Sequence, residues 1–285
     1  MFFYNGDNLT KTNYTVPNTS LPLTLVFGPF DPTGSDGLPA DAVTCAAMGS
    51  HAISTLTAIT IQDTAESESV FPCPPEQIDD QARCVLEDMS IQAIKVGALS
   101  SAEAVSAVAQ IAADYSQVPL VLHLGQQEAS SLEPEDEEEA EDVIGATLEL
   151  LVPQAHVVVV QARLLNQWIT EEVLEAAGQS EPGAALQAIG ADWVLVLGSQ
   201  QRPGHRVNIL LGPESATVSW PWVAPPERVR DSGGLVATAL AALLAQGTAV
   251  SDAAQLASNY ADQSVAQSFQ PGMGQRVARR IPLSN

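Results

Sequence analysis

The sequence predicts an α/β domain whose mostly parallel sheet is covered by helices on both faces. Three observations predict it. Short apolar runs without polar alternation, such as LTLVFG at Leu23–Gly28, HVVVV at His156–Val160 and WVLVL at Trp193–Leu197, read as strands buried on both sides. Segments with helical spacing of apolar residues lie between such runs, and repeated strand–helix units close into a parallel sheet. Asn208–Leu211 and Ala216–Trp220, separated by Gly212-Pro213, read as an antiparallel pair at one edge.

Residues 1–20 are polar and lack the basic start and apolar core of a signal peptide, so they read as an N-terminal extension to a single domain over 21–285. Leu23–Gly28 is the first strand. Phe30–Gly37 (FDPTGSDG) is turn chemistry, and Leu38–Gly49 is a helix stopped by glycine. Ala52–Thr60, rich in β-branched residues, is the second strand. Pro74–Met89 is an amphipathic helix, Ala93–Val96 a strand, Ala102–Tyr115 a helix and Leu120–His123 a strand. The acidic run Glu133–Asp142 opens a helix to Leu151, its carboxylates complementing the positive end of the helix dipole. Beyond the antiparallel pair come the loop Arg230–Gly234, the small-residue helix Leu235–Gln246 and a last helix, Ser251–Gln267. Ligands bind beyond the carboxyl ends of strands in such a sheet. That rule selects the loops Gly28–Gly37, Gln62–Thr64, Gly97–Ser100, Gly198–Pro203 and Arg230–Gly234.

Thirty-four acidic residues against eleven basic ones give a net charge of −23, and lysine occurs only at positions 11 and 95. Such a surface repels phosphate backbones and anionic membranes, which argues against nucleic-acid and membrane partners. A polyanion such as ATP would need a local cationic site. No apolar run reaches the roughly 18 residues of a membrane span, and the expected compartment is the cytoplasm. Cys45, Cys73 and Cys84 have no metal-ligand spacing and suit reducing conditions, so no metal site is expected.

Three stretches carry a resemblance: GPFDPTGSDGLPAD at Gly28–Asp41, AITIQDT at Ala58–Thr64, and DQARCVLEDMSIQAIKVGALSSAE over residues 80–103. In order and spacing they resemble the hydroxymethylpyrimidine and phosphomethylpyrimidine kinases of thiamin synthesis. SWPW around Trp220 and the later FQPGMGQ extend the likeness to about Arg280. The resemblance implies a ribokinase-like three-layer α/β/α fold with an antiparallel edge, a homodimer, and phosphorylation of a pyrimidine alcohol by ATP and magnesium. It places Gly28, Asp41 and Gln62 at the aminopyrimidine, where a carboxylate and an amide can pair with ring nitrogens and an exocyclic amine. Pro39 and Ala98 depart from the family pattern on that side. Lys95, in AIKVG, resembles a position the family keeps and is expected to pair with a carboxylate.

The phosphate side departs further. The family loop reads approximately G-[ST]-G-C or G-T-G-D, its last residue standing at the site of proton removal and its amides forming an anion hole. Here it is Asp231-Ser232-Gly233-Gly234. Gly234 offers no base, Ser232, Gly233 and Gly234 are an anion-hole remnant, and Asp231 and His123 are the candidates for a displaced base. The family's Asp-Pro-Val, Thr-Pro-Asn and following acidic position appear as His123-Leu124-Gly125, Val159-Val160-Gln161 and Leu164. The TGTH-type nucleotide loop is matched only in place, by Gly198-Ser199-Gln200. The resulting expectation is a member of this family that binds a hydroxymethylpyrimidine-like precursor, has lost phosphoryl transfer and uses no cofactor. Two alternatives stand beside it: an active kinase with relocated catalytic groups, using ATP and magnesium, and a scaffold subunit that binds no ligand.

Overall fold

The computed structural model describes residues 21–125, 134–175, 181–213, 216–224 and 228–281. The extension read over 1–20 and Glu133, the first residue of the acidic run, lie outside them. Among the described residues the strands are β1 (Leu23–Phe30), β2 (His51–Gln62), β3 (Ser67–Pro72), β4 (Ala93–Val96), β5 (Leu120–Leu124), β6 (Val157–Gln161), β7 (Trp193–Arg202), β8 (His205–Leu211) and β9 (Thr217–Pro221). They form one sheet in the spatial order β3-β2-β1-β4-β5-β6-β7-β8-β9. β2, β1, β4, β5, β6 and β7 are mutually parallel. β3 pairs antiparallel with β2 at one edge, and β8 and β9 continue antiparallel at the other.

The helices are α1 (Gly37–Ala47), α2 (Pro75–Asp88), α3 (Ala102–Asp114), α4 (Pro134–Ala146), α5 (Ala162–Thr170), α6 (Ala184–Ala188), α7 (Ser232–Ala245) and α8 (Val250–Ala266). Successive strand residues point to opposite faces, and here both faces are apolar. Leu25 and Phe27 of β1, Ile94 and Val96 of β4, and Val158 and Val160 of β6 pack with α2, α3 and α5. Val121, Val157 and Val159 point the other way, into the cluster built by α7 and α8. α7 is apolar all round and buried from Gly233 to Ala245, as expected of a helix enclosed on every side. No helix among the described residues is long and apolar enough to cross a membrane.

The chain runs from β1 through α1 to β2 on one side, then through β3 and α2 to β4 on the other side of β1. The connection therefore reverses between β1 and β4, and the crevice beyond their carboxyl ends is where such sheets bind ligands. The chain turns sharply into α1 at Gly37, which has φ +59, and a Cβ there would overlap the Pro29 carbonyl oxygen. Gly37→Ala is therefore expected to destabilise the protein by roughly 2 kcal/mol or more, from left-handed strain plus a backbone clash. A urea-unfolding midpoint unchanged from wild type would contradict this.

Several boundaries differ from the sequence reading. β3, α5 and α6 were not foreseen. The first strand, read as Leu23–Gly28, continues past a bulge to Phe30, into the stretch read as a turn. Gly198–Pro203, assigned to a loop, is mostly strand: β7 runs to Arg202 through two irregularities in its pairing with β8. The polar stretch Ser199–Arg202 carries no apolar signal, and pairing with β8 keeps it extended. Arg230–Gly234 is loop only as far as Asp231, because α7 begins at Ser232.

Candidate active site

The turn after β1 is organised by one carboxylate. Asp31 accepts hydrogen bonds from the amides of Thr33, Ser35 and Asp36 and from the hydroxyls of Thr33 and Ser35, at 2.7–3.1 Å. Burial works to raise its pKa, yet these donors and Gln62 hold it below the ordinary value. The wound turn delivers Asp36 to the N-cap of α1, where its carboxyl takes the Gly37 amide at 2.5 Å. Arg280 fastens the same turn from the C-terminal segment, donating to the Ser35 carbonyl at 2.8 Å.

One turn into α1, Asp41 is almost fully buried and bridges three elements. Its Oδ2 lies 2.7 Å from Lys95 Nζ on β4, and its Oδ1 accepts from the Thr238 hydroxyl on α7 at 2.5 Å. Burial disfavours the ammonium, but Asp41, Asp231 and Asp36 outweigh it and raise the Lys95 pKa above its ordinary value. Lys95 is thus a fixed positive charge at the reversal point of the sheet. Gly97 leaves it room, since a Cβ there would come within 2.9 Å of Nζ.

The loop before α7 brings a second carboxyl to the same place. Asp231 has φ 48 and ψ 46, a left-handed conformation that a non-glycine residue adopts only at a cost. This conformation folds its side chain forward onto the start of α7, where Oδ1 accepts the Gly234 amide at 2.9 Å. A Cβ built on Gly234 would overlap both carboxyl oxygens and stand 2.5 Å from Cγ. The Asp231 carboxyl therefore fills the volume that a side chain at position 234 would occupy. Gly234→Ala is expected to displace it and remove the cap, at about 0.5–2 kcal/mol; an unchanged thermal midpoint would contradict this.

Gly233 answers to a different neighbour. A Cβ there would come within 2.6 Å of His123 Nε2, so the imidazole rests against the bare backbone of α7. His123 Nδ1 is 4.0 Å from Asp231 Oδ1. Burial, then Lys95, hold the His123 pKa down to about 4, so the ring is neutral near pH 7. Asp36 behaves oppositely: burial, then the charge of Asp231, push its pKa up to about 7. Asp231 is also raised, with burial as the main cause and Lys95 opposing it.

These shifts give stability slopes of opposite sign. Between its ordinary 3.8 and about 7, Asp36 binds more proton in the folded state, so its contribution falls as pH rises. Between about 4 and 6.5, His123 binds more proton in the unfolded state, so its contribution rises with pH. His123→Gln is therefore expected to show a urea midpoint that falls more steeply than wild type as pH rises from about 4 to about 7.

Asp36, Lys95, His123, Asp231 and Gln62 line one cleft of about 1360 Å³. That exceeds the roughly 300–1,000 Å³ of a single small-molecule site and gives room for two ligands. At one end Gln62 accepts from Arg230 at 3.1 Å. At the other the Arg206 guanidinium lies over the Trp222 ring, 5.3 Å from its centre. Ser232 and Gly233 also face the cleft, and first-turn amides of a helix have no acceptor within it, which suits an anion. Gly28 and Asp41 are not among the lining residues; Asp41 spends its carboxylate on Lys95 and Thr238. Sequence reasoning did not single out Asp36, although an Asp directly before Gly37 and a helical run is an N-cap signal. Trp222 has no signal in the sequence beyond its place in SWPW. Among the described residues no three His, Cys, Asp or Glu converge as a metal site.

The likeness to known proteins spans the same region. A hydroxymethylpyrimidine/phosphomethylpyrimidine kinase of Streptomyces coelicolor is 29% identical over 263 residues, covering 90% of this chain and 94% of its own length. The kinase of the same description from Mycobacterium tuberculosis H37Rv is 29% identical over 262 residues, covering 90% and 93%. Among solved structures, the Bacillus subtilis pyridoxal kinase bound to ADP matches with a TM-score of 0.77 at 19% identity, covering 92% of this chain and 98% of that one. The Clostridium difficile phosphomethylpyrimidine kinase matches at 0.68 and 23% identity, covering 85% and 99%. The family model of phosphomethylpyrimidine kinase matches residues 31–278, from the Asp31 turn through the cleft to just past the isolated bridge at Val277, and by that match the protein belongs to the phosphomethylpyrimidine kinase family.

Proposed function

We propose that the protein is an active kinase, transferring the γ-phosphoryl group of ATP to the alcohol of a hydroxymethylpyrimidine in thiamin synthesis. This is the alternative with relocated catalytic groups, and one observation carries it over the reading in which transfer is lost. The family's base stands at the position of Gly234, and the Asp231 carboxyl fills the space that a side chain there would take. A missing base and a charge in the wrong place, counted separately in the sequence, are thereby one substitution: the carboxyl comes from three residues earlier in the chain.

In this reading the alcohol oxygen attacks the γ-phosphorus, the bond from that phosphorus to the bridging oxygen breaks, and ADP leaves with the electron pair. Asp231 takes the alcohol proton. Lys95, fixed by Asp41, offsets negative charge at the transferring group, and the amides of Ser232 and Gly233 supply donors to it. Gln62 contacts the pyrimidine, and Asp41 acts by holding Lys95. Magnesium supplies charge neutralisation to the nucleotide phosphates when bound; no step here is assigned to it.

The test is ADP release coupled to hydroxymethylpyrimidine, with the product identified by ³¹P NMR as a phosphate monoester. Pyrimidine-dependent ADP release is the expected result. Tight pyrimidine binding by calorimetry with no ADP release would instead restore the reading of a binder without transfer.

A further inference from the structure

Two carboxyls line the same cleft, and the kinase reading uses only one. Asp36 caps α1 and Asp231 caps α7. The two side chains are hydrogen-bonded to each other and line the same cavity. Carboxyls at hydrogen-bond distance cannot both ionise without strong repulsion, so a pair of this kind holds one proton between them. Each is also fixed by its own helix-start amide, Gly37 for Asp36 and Gly234 for Asp231. Neither can swing away to relieve the contact without uncapping a helix.

We propose that Asp36 is a positioning residue that carries the shared proton and donates it to Asp231, keeping Asp231 ionised and aimed while the pair bears one negative charge. This role rests on the kinase reading; the shared proton does not. Its consequence is a limit on the alkaline side. Above the pH at which Asp36 loses its proton, the hydrogen bond within the pair is gone and two negative charges face the incoming nucleotide. Burial and Asp231 set that point at about 7. The other groups facing the pair are Lys95 from β4, Asp41 from α1, His123 from β5 and Arg280 from the C-terminal segment. Lys95 keeps its charge through this range, and Asp41 is ion-paired with it. His123 is already neutral, so the loss falls to Asp36.

The experiment is a pH titration of the ¹³C-labelled carboxyls in the full chain, with kcat–pH profiles of the same proteins. The wild type is expected to show two coupled steps, one of them near neutrality. Asp36→Asn should collapse these to a single step for Asp231 at lower pH. Independent titration of both carboxyls in the ordinary range, each curve unmoved by substitution of the other, overturns the pair. In turnover, Asp36→Ala should lose about tenfold or more in kcat with little change in pyrimidine KM, the worth of one hydrogen bond to a charged group. Asp36→Asn, which still donates but cannot titrate, should recover most of that loss and flatten the fall above about pH 7. A profile for Asp36→Asn that coincides with wild type overturns the positioning role. A wild type that releases no ADP with the pyrimidine defeats the kinase reading and the positioning role with it, and the carboxyl titration still upholds or overturns the shared proton.

Discussion

Asp231→Asn is expected to leave the fold intact and to lower turnover of hydroxymethylpyrimidine about 10²–10⁴-fold, the usual worth of a general base. Asparagine caps helices as well as aspartate and, like it, tolerates the left-handed conformation. The bond to the Gly234 amide therefore survives while the proton acceptor is lost. The effect should fall on kcat, with pyrimidine KM little changed, because the substitution touches a proton that moves only during transfer. Circular dichroism and the thermal midpoint check that the fold is unaltered.

A carboxyl swap sharpens this result. Asp231→Gly alone should lose as much as the asparagine variant. Asp231→Gly combined with Gly234→Asp removes the overlap that a 234 side chain would meet in the wild type and returns a carboxylate to the same space. The pair is expected to regain most of the activity lost by the single change. A double variant no better than Asp231→Gly would mean that the carboxyl's volume, and not its chemistry, explains its position.

Lys95→Met carries the largest expected effect on stability. It strips the partner from Asp41, a carboxylate almost wholly out of water whose second oxygen is held by Thr238. Removing one member of a buried ion pair leaves an uncompensated charge and costs about 3–5 kcal/mol. The loss joins three elements at once, since α1, β4 and α7 meet at this carboxylate. Lys95→Met together with Asp41→Leu should be considerably more stable than Lys95→Met alone, because no buried charge is stranded, and denaturant midpoints measured side by side decide it. The double variant should nevertheless be catalytically poor, because the fixed positive charge is absent. That separates what Lys95 does for folding from what it does in the cleft.

Much of the scaffold was legible because it depends on local pattern. Apolar runs such as Val157–Val160 must be covered on both faces whatever surrounds them, and the spacing in Pro75–Asp88 and Ala102–Asp114 produces helices on its own terms. β3 was missed because Ser67–Pro72 is an exposed edge strand with little apolar signal; β2 decides that it is extended. The last residues of β7 were missed because Ser199–Arg202 is polar and is held extended by pairing with β8. On the substrate side the sequence placed Gln62 in the cleft. It did not foresee that Asp41 would be turned inward, since a carboxylate's partner 54 residues away in β4 is fixed by sheet order alone.

The same division runs through the active site. Sequence alone determined the fold class, the family and the fact that position 234 has no side chain, because each depends on residue identity and order. Whether a carboxyl reaches the space beside position 234 was decided only in three dimensions. The left-handed backbone at Asp231 folds its carboxyl over Gly234, and the wound turn at Asp31 sets Asp36 beside it. Spacing along a chain measures contour, whereas proton transfer depends on distances through space, and one unusual φ is enough to make three residues of separation vanish.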